Sequence, residues 1–227
     1  MGTEMVEQHK RRVSKKKYTI VFVFTALVFL VGMAIGWQFS NYLINEITYN
    51  EDVLRARLFG IELKYDLIKK GDICEIGSDE LWEDRVYLGK QISILEKRLG
   101  KENEMVLIQK EFYQLVEVET YLLLEEIKDE CDLDVNIILF FYTNKENDEK
   151  GKSTVSEEQG VFLDSLYNKY GEKIAVFAFD INTNNPALNT LRDIYGVDIA
   201  PTLVINGEVY EGYRGYAQVV DILGFDD

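Results

Sequence analysis

The chain has one histidine, His9, and two cysteines, Cys74 and Cys131, in 227 residues. Beyond residue 9 there is no imidazole, which excludes a Ser-His triad, a Cys-His pair and any zinc site that uses histidine from the body of the chain. Two thiols are too few for a four-thiolate metal site. There is no glycine-rich phosphate loop and no N-x-Ser/Thr sequon. The run "DINTNNPALNTL" opens like a calcium loop, with Asp180, Asn182 and Asn184 at alternate positions. It then has Asn185 where the turn glycine belongs and Leu191 where the bidentate glutamate belongs, so a polar turn is expected. No metal and no cofactor is expected.

Basic charge is scarce as well, and it is unevenly placed. Residues 1–17 carry six Lys/Arg against two Glu, and the rest of the chain carries 19 basic and 38 acidic side chains, a net charge of −19. Phosphate neutralisation needs the opposite balance, so nucleic acid is not an expected partner.

Charge is absent altogether from Tyr18 to Trp37, the 20-residue run YTIVFVFTALVFLVGMAIGW. At 1.5 Å per residue such a helix crosses roughly 30 Å of hydrocarbon, and the run reads as a transmembrane helix over residues 18–39. A cleaved signal peptide normally has a shorter apolar core, and no small-x-small cleavage site follows in "QFSNYLINEI". Tyr18 and Trp37 fit the two interfacial positions. The run HKRRVSKKK flanks the first end, so the basic tail, residues 1–17, is expected in the cytoplasm and the C-terminal part outside it. Gly32 and Gly36 form a G-x-x-x-G pair through which two copies could associate as a homodimer.

Residues 46–131 have helical period. Leu54, Leu58, Ile61, Tyr65 and Ile68 step by three and four, as do Leu88, Ile92, Leu95 and Leu99. Breaks are expected at "KKGDICEIGSDE", through Gly71, Gly77 and Ser78 with Ser78 or Asp79 capping the next helix, and at Gly100. A third helix over about 102–130 would put Met105, Ile108, Phe112, Leu115 and Leu122 on one face. Three antiparallel helices are the simplest packing, forming a stalk or bundle. That packing sets the ends of the first and third helices side by side, close to Cys74 and Cys131, where a disulfide is geometrically reasonable. Two buried free thiols, or a catalytic pair, are the other readings of these cysteines.

From residue 134 the pattern changes. "VNIILFFY" is a buried-strand run, and the chain then alternates strand 135–142, helix 153–170, strand 173–180, helix 186–195, strands 202–206 and 209–213, and helix 216–223. Asn206-Gly207 between apolar strands predicts a tight hairpin. The fold class is α/β, with a β-α-β-α-β-β-α domain over 134–227.

This order, together with "IAPTLVINGEVYEGY", resembles the thioredoxin fold. The resemblance implies that Pro201, in Ala200-Pro201-Thr202, takes the cis form facing the helix after the first strand. Redox members start that helix with Cys-x-x-Cys, and membrane-anchored ones with a pattern like C-x-x-C-x-x-Q-G. Here "STVSEEQG" sets Ser153 and Ser156 at the two cysteine positions. A shorter-loop register would set the site at Glu146 to Glu149, again without sulfur. A serine hydroxyl cannot form the mixed disulfide that thiol-disulfide exchange requires. Thr154-x-x-Glu157 and Ser156-x-x-Gln159 also fit capping boxes, so capping is the expected physical role of these residues.

The resemblance therefore implies a redox-inactive domain that binds or scaffolds proteins. An extended partner segment would pair along Ala200, Pro201 and Thr202 near Ser153 and Ser156. The alternatives are a thiol-disulfide oxidoreductase working through Cys74 or Cys131, and a purely structural oligomeric stalk.

Overall fold

The computed structural model describes residues 15–225 other than 72, 102 and 147; at 39, 41–55 and 75–84 it describes the backbone alone. The basic tail through residue 14, with His9, lies outside the described residues, as do the side chains of Leu54, Ser78 and Asp79. The chain forms two compact units, residues 1–55 and 56–227.

The first unit contains the apolar part of helix α1, Lys15–Lys70. Its span Lys15–Gln38 is long and apolar enough to cross a membrane, and none of it is buried within the protein. The hydroxyls of Thr19 and Thr25 donate to the carbonyls of Lys15 and Val21 one turn back. That pairing lets both sit in an apolar helix without an unsatisfied polar group.

The second unit is a mixed α/β structure. Its helices are the end of α1, α2 (Ile73–Leu99), α3 (Glu104–Cys131), α4 (Ser153–Tyr170), α5 (Pro186–Tyr195) and α6 (Tyr216–Ile222). The strands are β1 (Asn136–Tyr142), β2 (Ile174–Asp180), β3 (Thr202–Ile205) and β4 (Glu208–Glu211). They form one sheet in the order β2-β1-β3-β4, with β1 and β2 parallel and the remaining pairs antiparallel. Successive strand residues face opposite sides, which splits the interior into two cores. Ile137, Leu139 and Phe141 join Tyr65, Ile68, Tyr121 and Leu188 from α1, α3 and α5. Ile138 and Phe140 join Leu163, Leu166, Val219 and Val220 from α4 and α6.

Local signals set most element ends. Asn103 accepts the Met105 N–H at 3.0 Å to start α3, and Asn185, followed by Pro186, does the same for α5 with Ala187. Asn206 and Gly207, both at positive φ, make the two-residue turn between β3 and β4.

Three expectations for the helical region change. The chain breaks once between α1 and α2, at Gly71, and helix then runs through Gly77 and Ser78. On α3, Met105, Ile108 and Leu122 are exposed, and the buried side carries Lys110, Gln114, Glu117 and Thr120 among its apolar residues. The helices are also no separate stalk, because from residue 56 onward they share a core with the sheet.

The polar residues on α3 answer a need of the sheet. β2 is an edge strand, so its outward N–H and C=O groups require partners. Glu117 accepts the Ala178 N–H at 3.1 Å and Gln114 accepts the Asp180 N–H at 2.7 Å. Arg85 of α2 donates to the Val176 carbonyl at 2.6 Å and forms a two-pronged ion pair with Glu117. Its guanidinium also lies 4.5 Å from the Phe177 ring centre. Burial opposes the Arg85 charge, but Glu117 and Tyr113 together outweigh it and hold the pKa above the ordinary arginine value.

Candidate functional site

Ser153 and Ser156 both lie in the first turn and a half of α4, but neither caps it. The N-cap is Lys152, with no side-chain hydrogen bond. Ser153 is half-buried, whereas Ser156 is 3% exposed and its hydroxyl accepts the Thr143 N–H at 3.2 Å. The capping expectation is therefore corrected: the end of β1 competes for the Ser156 oxygen and takes it, tying strand to helix. Gln159, one turn further on, is fully buried, and its side-chain oxygen accepts the Arg214 N–H at 2.8 Å, fixing the loop between β4 and α6.

The charged loop between β1 and α4 is organised around the Thr143 hydroxyl. It accepts from the Lys145 N–H at 3.1 Å and from the Asn182 amide at 2.7 Å, and it donates to Asp148. The Lys150 N–H donates to Asp148 at 3.1 Å. That backbone bond is the main reason the Asp148 pKa lies below the usual carboxylate value. Asp180 and Asn182, the start of the apparent calcium loop, bond each other and their neighbours as a polar turn. Among the described residues no cluster of three metal-ligating side chains occurs.

The same loop reaches the segment before β3. The Ala200–Pro201 bond is cis, Ala200 is 6% exposed and Thr202 is fully buried. The Ala200 N–H donates to the Lys150 carbonyl at 2.6 Å, and Gly151 forms a parallel bridge with Ala200. Gly151 has φ +148°, and a Cβ there would overlap the Ala200 carbonyl oxygen. Only glycine lets the two backbones lie this close. The strand-pairing position expected to receive an outside segment at Ala200 is thus filled by residues 150–151 of the same chain. The Thr202 hydroxyl turns back to the Ile199 carbonyl at 2.8 Å.

Beside the two serines runs an open groove of about 700 Å³ whose walls include Tyr142, Lys145, Glu157, Val161 and Asp164. Burial raises the Asp164 pKa. Ser153 and Ser156 line this groove; Ala200, Pro201 and Thr202 do not.

Sulfur is placed on other elements. Cys74, at the start of α2, and Cys131, at the end of α3, form a disulfide with Cα atoms 5.6 Å apart. They are the only cysteines in the sequence, so no free thiol remains. Gly32 and Gly36 lie in the apolar span with no atom near enough to contact an added Cβ.

Sequence reasoning missed Thr143, Gly151 and Lys150 as organisers of this region, and Arg85, Gln114 and Glu117 as partners of the sheet edge. A signal for the last two was present, since Lys110, Gln114, Glu117 and Tyr121 step by four, three and four, a polar stripe at core spacing.

Fold and site define a mixed α/β domain whose first sheet-following helix starts with hydroxyls and whose cysteines are joined elsewhere. Comparison with protein-family models and with curated proteins gave no match to this chain.

Proposed function

We propose that this is a single-pass membrane protein whose C-terminal, extracytoplasmic domain is thioredoxin-like, is redox-inactive, and binds or scaffolds other proteins. One observation carries the reading. The start of α4 holds Ser153 half-buried and Ser156 buried, a spacing suited to an attacking and a resolving thiol, while both sulfurs of the chain are bonded to each other on α2 and α3. The strand order β2-β1-β3-β4 and the cis bond before β3 support the thioredoxin-like assignment. The apolar span of α1 supports the anchor, and the basic residues before it support a cytoplasmic N-terminus.

The test has two parts, both with the full chain in its native membrane. Insulin-disulfide reduction should be at background level. A photo-crosslinking amino acid at Val161, exposed in the groove beside the serines, should give discrete protein adducts that the same group at Ile194 does not. Insulin reduction that disappears in Cys74→Ser would replace this reading with the oxidoreductase one.

A further inference from the structure

We propose that the outer edge of β4 docks an extended, basic segment of a partner protein, which adds to the sheet as a fifth strand. The inference rests on the protein-binding reading above and names its surface and the chemistry of the partner.

Three places on this sheet could accept an added strand, and two are filled. The β2 edge is closed by Arg85, Gln114 and Glu117, which bond Val176, Ala178 and Asp180. The position beside Ala200 is taken by Lys150 and Gly151. The β4 edge is what remains.

The register shows which β4 groups are available. β3 and β4 pair Ile205 with Glu208, Val204 with Val209, Leu203 with Tyr210 and Thr202 with Glu211. A two-residue turn of this kind makes its flanking pair, Ile205 and Glu208, a hydrogen-bonded one. The Gly212 N–H donates to the Pro201 carbonyl at 2.8 Å, which fixes the same alternation at the other end of the ladder. Val209 and Glu211 therefore turn their N–H and C=O groups away from β3. No hydrogen bond from the described residues reaches those groups. Val209 is 40% exposed, and Glu208 and Glu211 are exposed.

Charge selects the occupant. Two of the four β4 residues are glutamates, and one of them, Glu208, already accepts from the Tyr210 hydroxyl at 2.8 Å. A second copy of β4 would bring carboxylates against carboxylates, and the net charge of −15 on the chain opposes the same approach. A segment carrying Lys or Arg among β-forming residues meets both the open backbone groups and the acidic side chains.

The probe is a fluorescent eight-residue peptide alternating Val and Lys, with a Val/Glu peptide as its counterpart, titrated at physiological salt into the full chain in nanodiscs. Binding is read by anisotropy, and its location by amide hydrogen exchange. The expected result is binding of the Lys peptide alone, with exchange slowed over residues 208–212. Val209→Pro removes an outward N–H that β3 does not use, and should abolish that protection while keeping the thermal midpoint. Glu208→Lys with Glu211→Lys should weaken the Lys peptide at least tenfold and provides a test that does not depend on Val209→Pro folding. Absence of binding, binding without protection of 208–212, or binding unchanged in the charge-reversed variant overturns the proposal. If it is overturned while crosslinks from Val161 persist, protein binding stands and only the β4 surface is wrong.

Discussion

The Arg85 guanidinium and the Glu117 carboxylate meet at 2.5 Å over the outer edge of β2, and each also bonds a backbone group of that strand. Arg85 is largely buried and Glu117 completely so. Removing one partner leaves the other charged and buried. Glu117→Ala is expected to destabilise the second unit by about 3–5 kcal/mol, read as a lower urea midpoint. Arg85→Met with Glu117→Leu should recover part of that loss but not all, because the Ala178 N–H and the Val176 carbonyl would still lack partners, at about 1–3 kcal/mol each. Full recovery in the double variant would mean that the pair does not serve the strand edge.

The two serines should respond differently. Ser156→Ala takes the acceptor from the buried Thr143 N–H and is expected to cost about 1–3 kcal/mol. Ser153→Ala removes no side-chain hydrogen bond among the described residues and should stay within about 0.5 kcal/mol. Thermal unfolding of the two variants side by side checks this, and equal losses would favour a capping role for Ser153 after all.

Gly151→Ala places a Cβ against the Ala200 carbonyl, so the loop must move away. The expected outcome is local: amide exchange at Ala200 speeds up as its bond to Lys150 is lost, while the core strands keep their protection. Unchanged exchange at Ala200 would show that residues 150–151 do not hold that position in solution.

Cys74→Ser, or reduction of the bond, frees a separation of 57 residues in the unfolded chain. In the loop-entropy account this costs about 4 kcal/mol. Denaturant midpoints with and without reductant measure it directly.

Much of the architecture was legible because its signals are local. α4 and α5 have the spans that their apolar steps predict, with Gly171 and Gly196 just past their ends, and the Asn206-Gly207 turn lies where the dipeptide puts it. The Cys74–Cys131 bond is one of the three readings that the sequence left open for these cysteines, and helix ends meeting made it reasonable. What was not legible depends on groups far apart in sequence. Periodicity chose the apolar side of α3, yet the edge of β2 recruits Gln114 and Glu117 inward and leaves Met105 and Leu122 outside. A capping box reads only four residues, and so could not register that Thr143, thirteen residues away, holds the Ser156 hydroxyl. The closure of the Ala200 position by Gly151 had no sequence signal beyond a glycine in a charged loop.

The proposed function rests on Ser153 and Ser156 standing where redox members of the thioredoxin fold carry their two thiols. The deciding measurement is insulin-disulfide reduction with the wild-type chain and with Ser153→Cys/Ser156→Cys, compared under the same reductant. The wild type should show no activity above background, and measurable reduction should appear once both thiols are installed. Activity in the wild type that Cys74→Ser abolishes, or an inert double-cysteine variant that is folded, would contradict that reading.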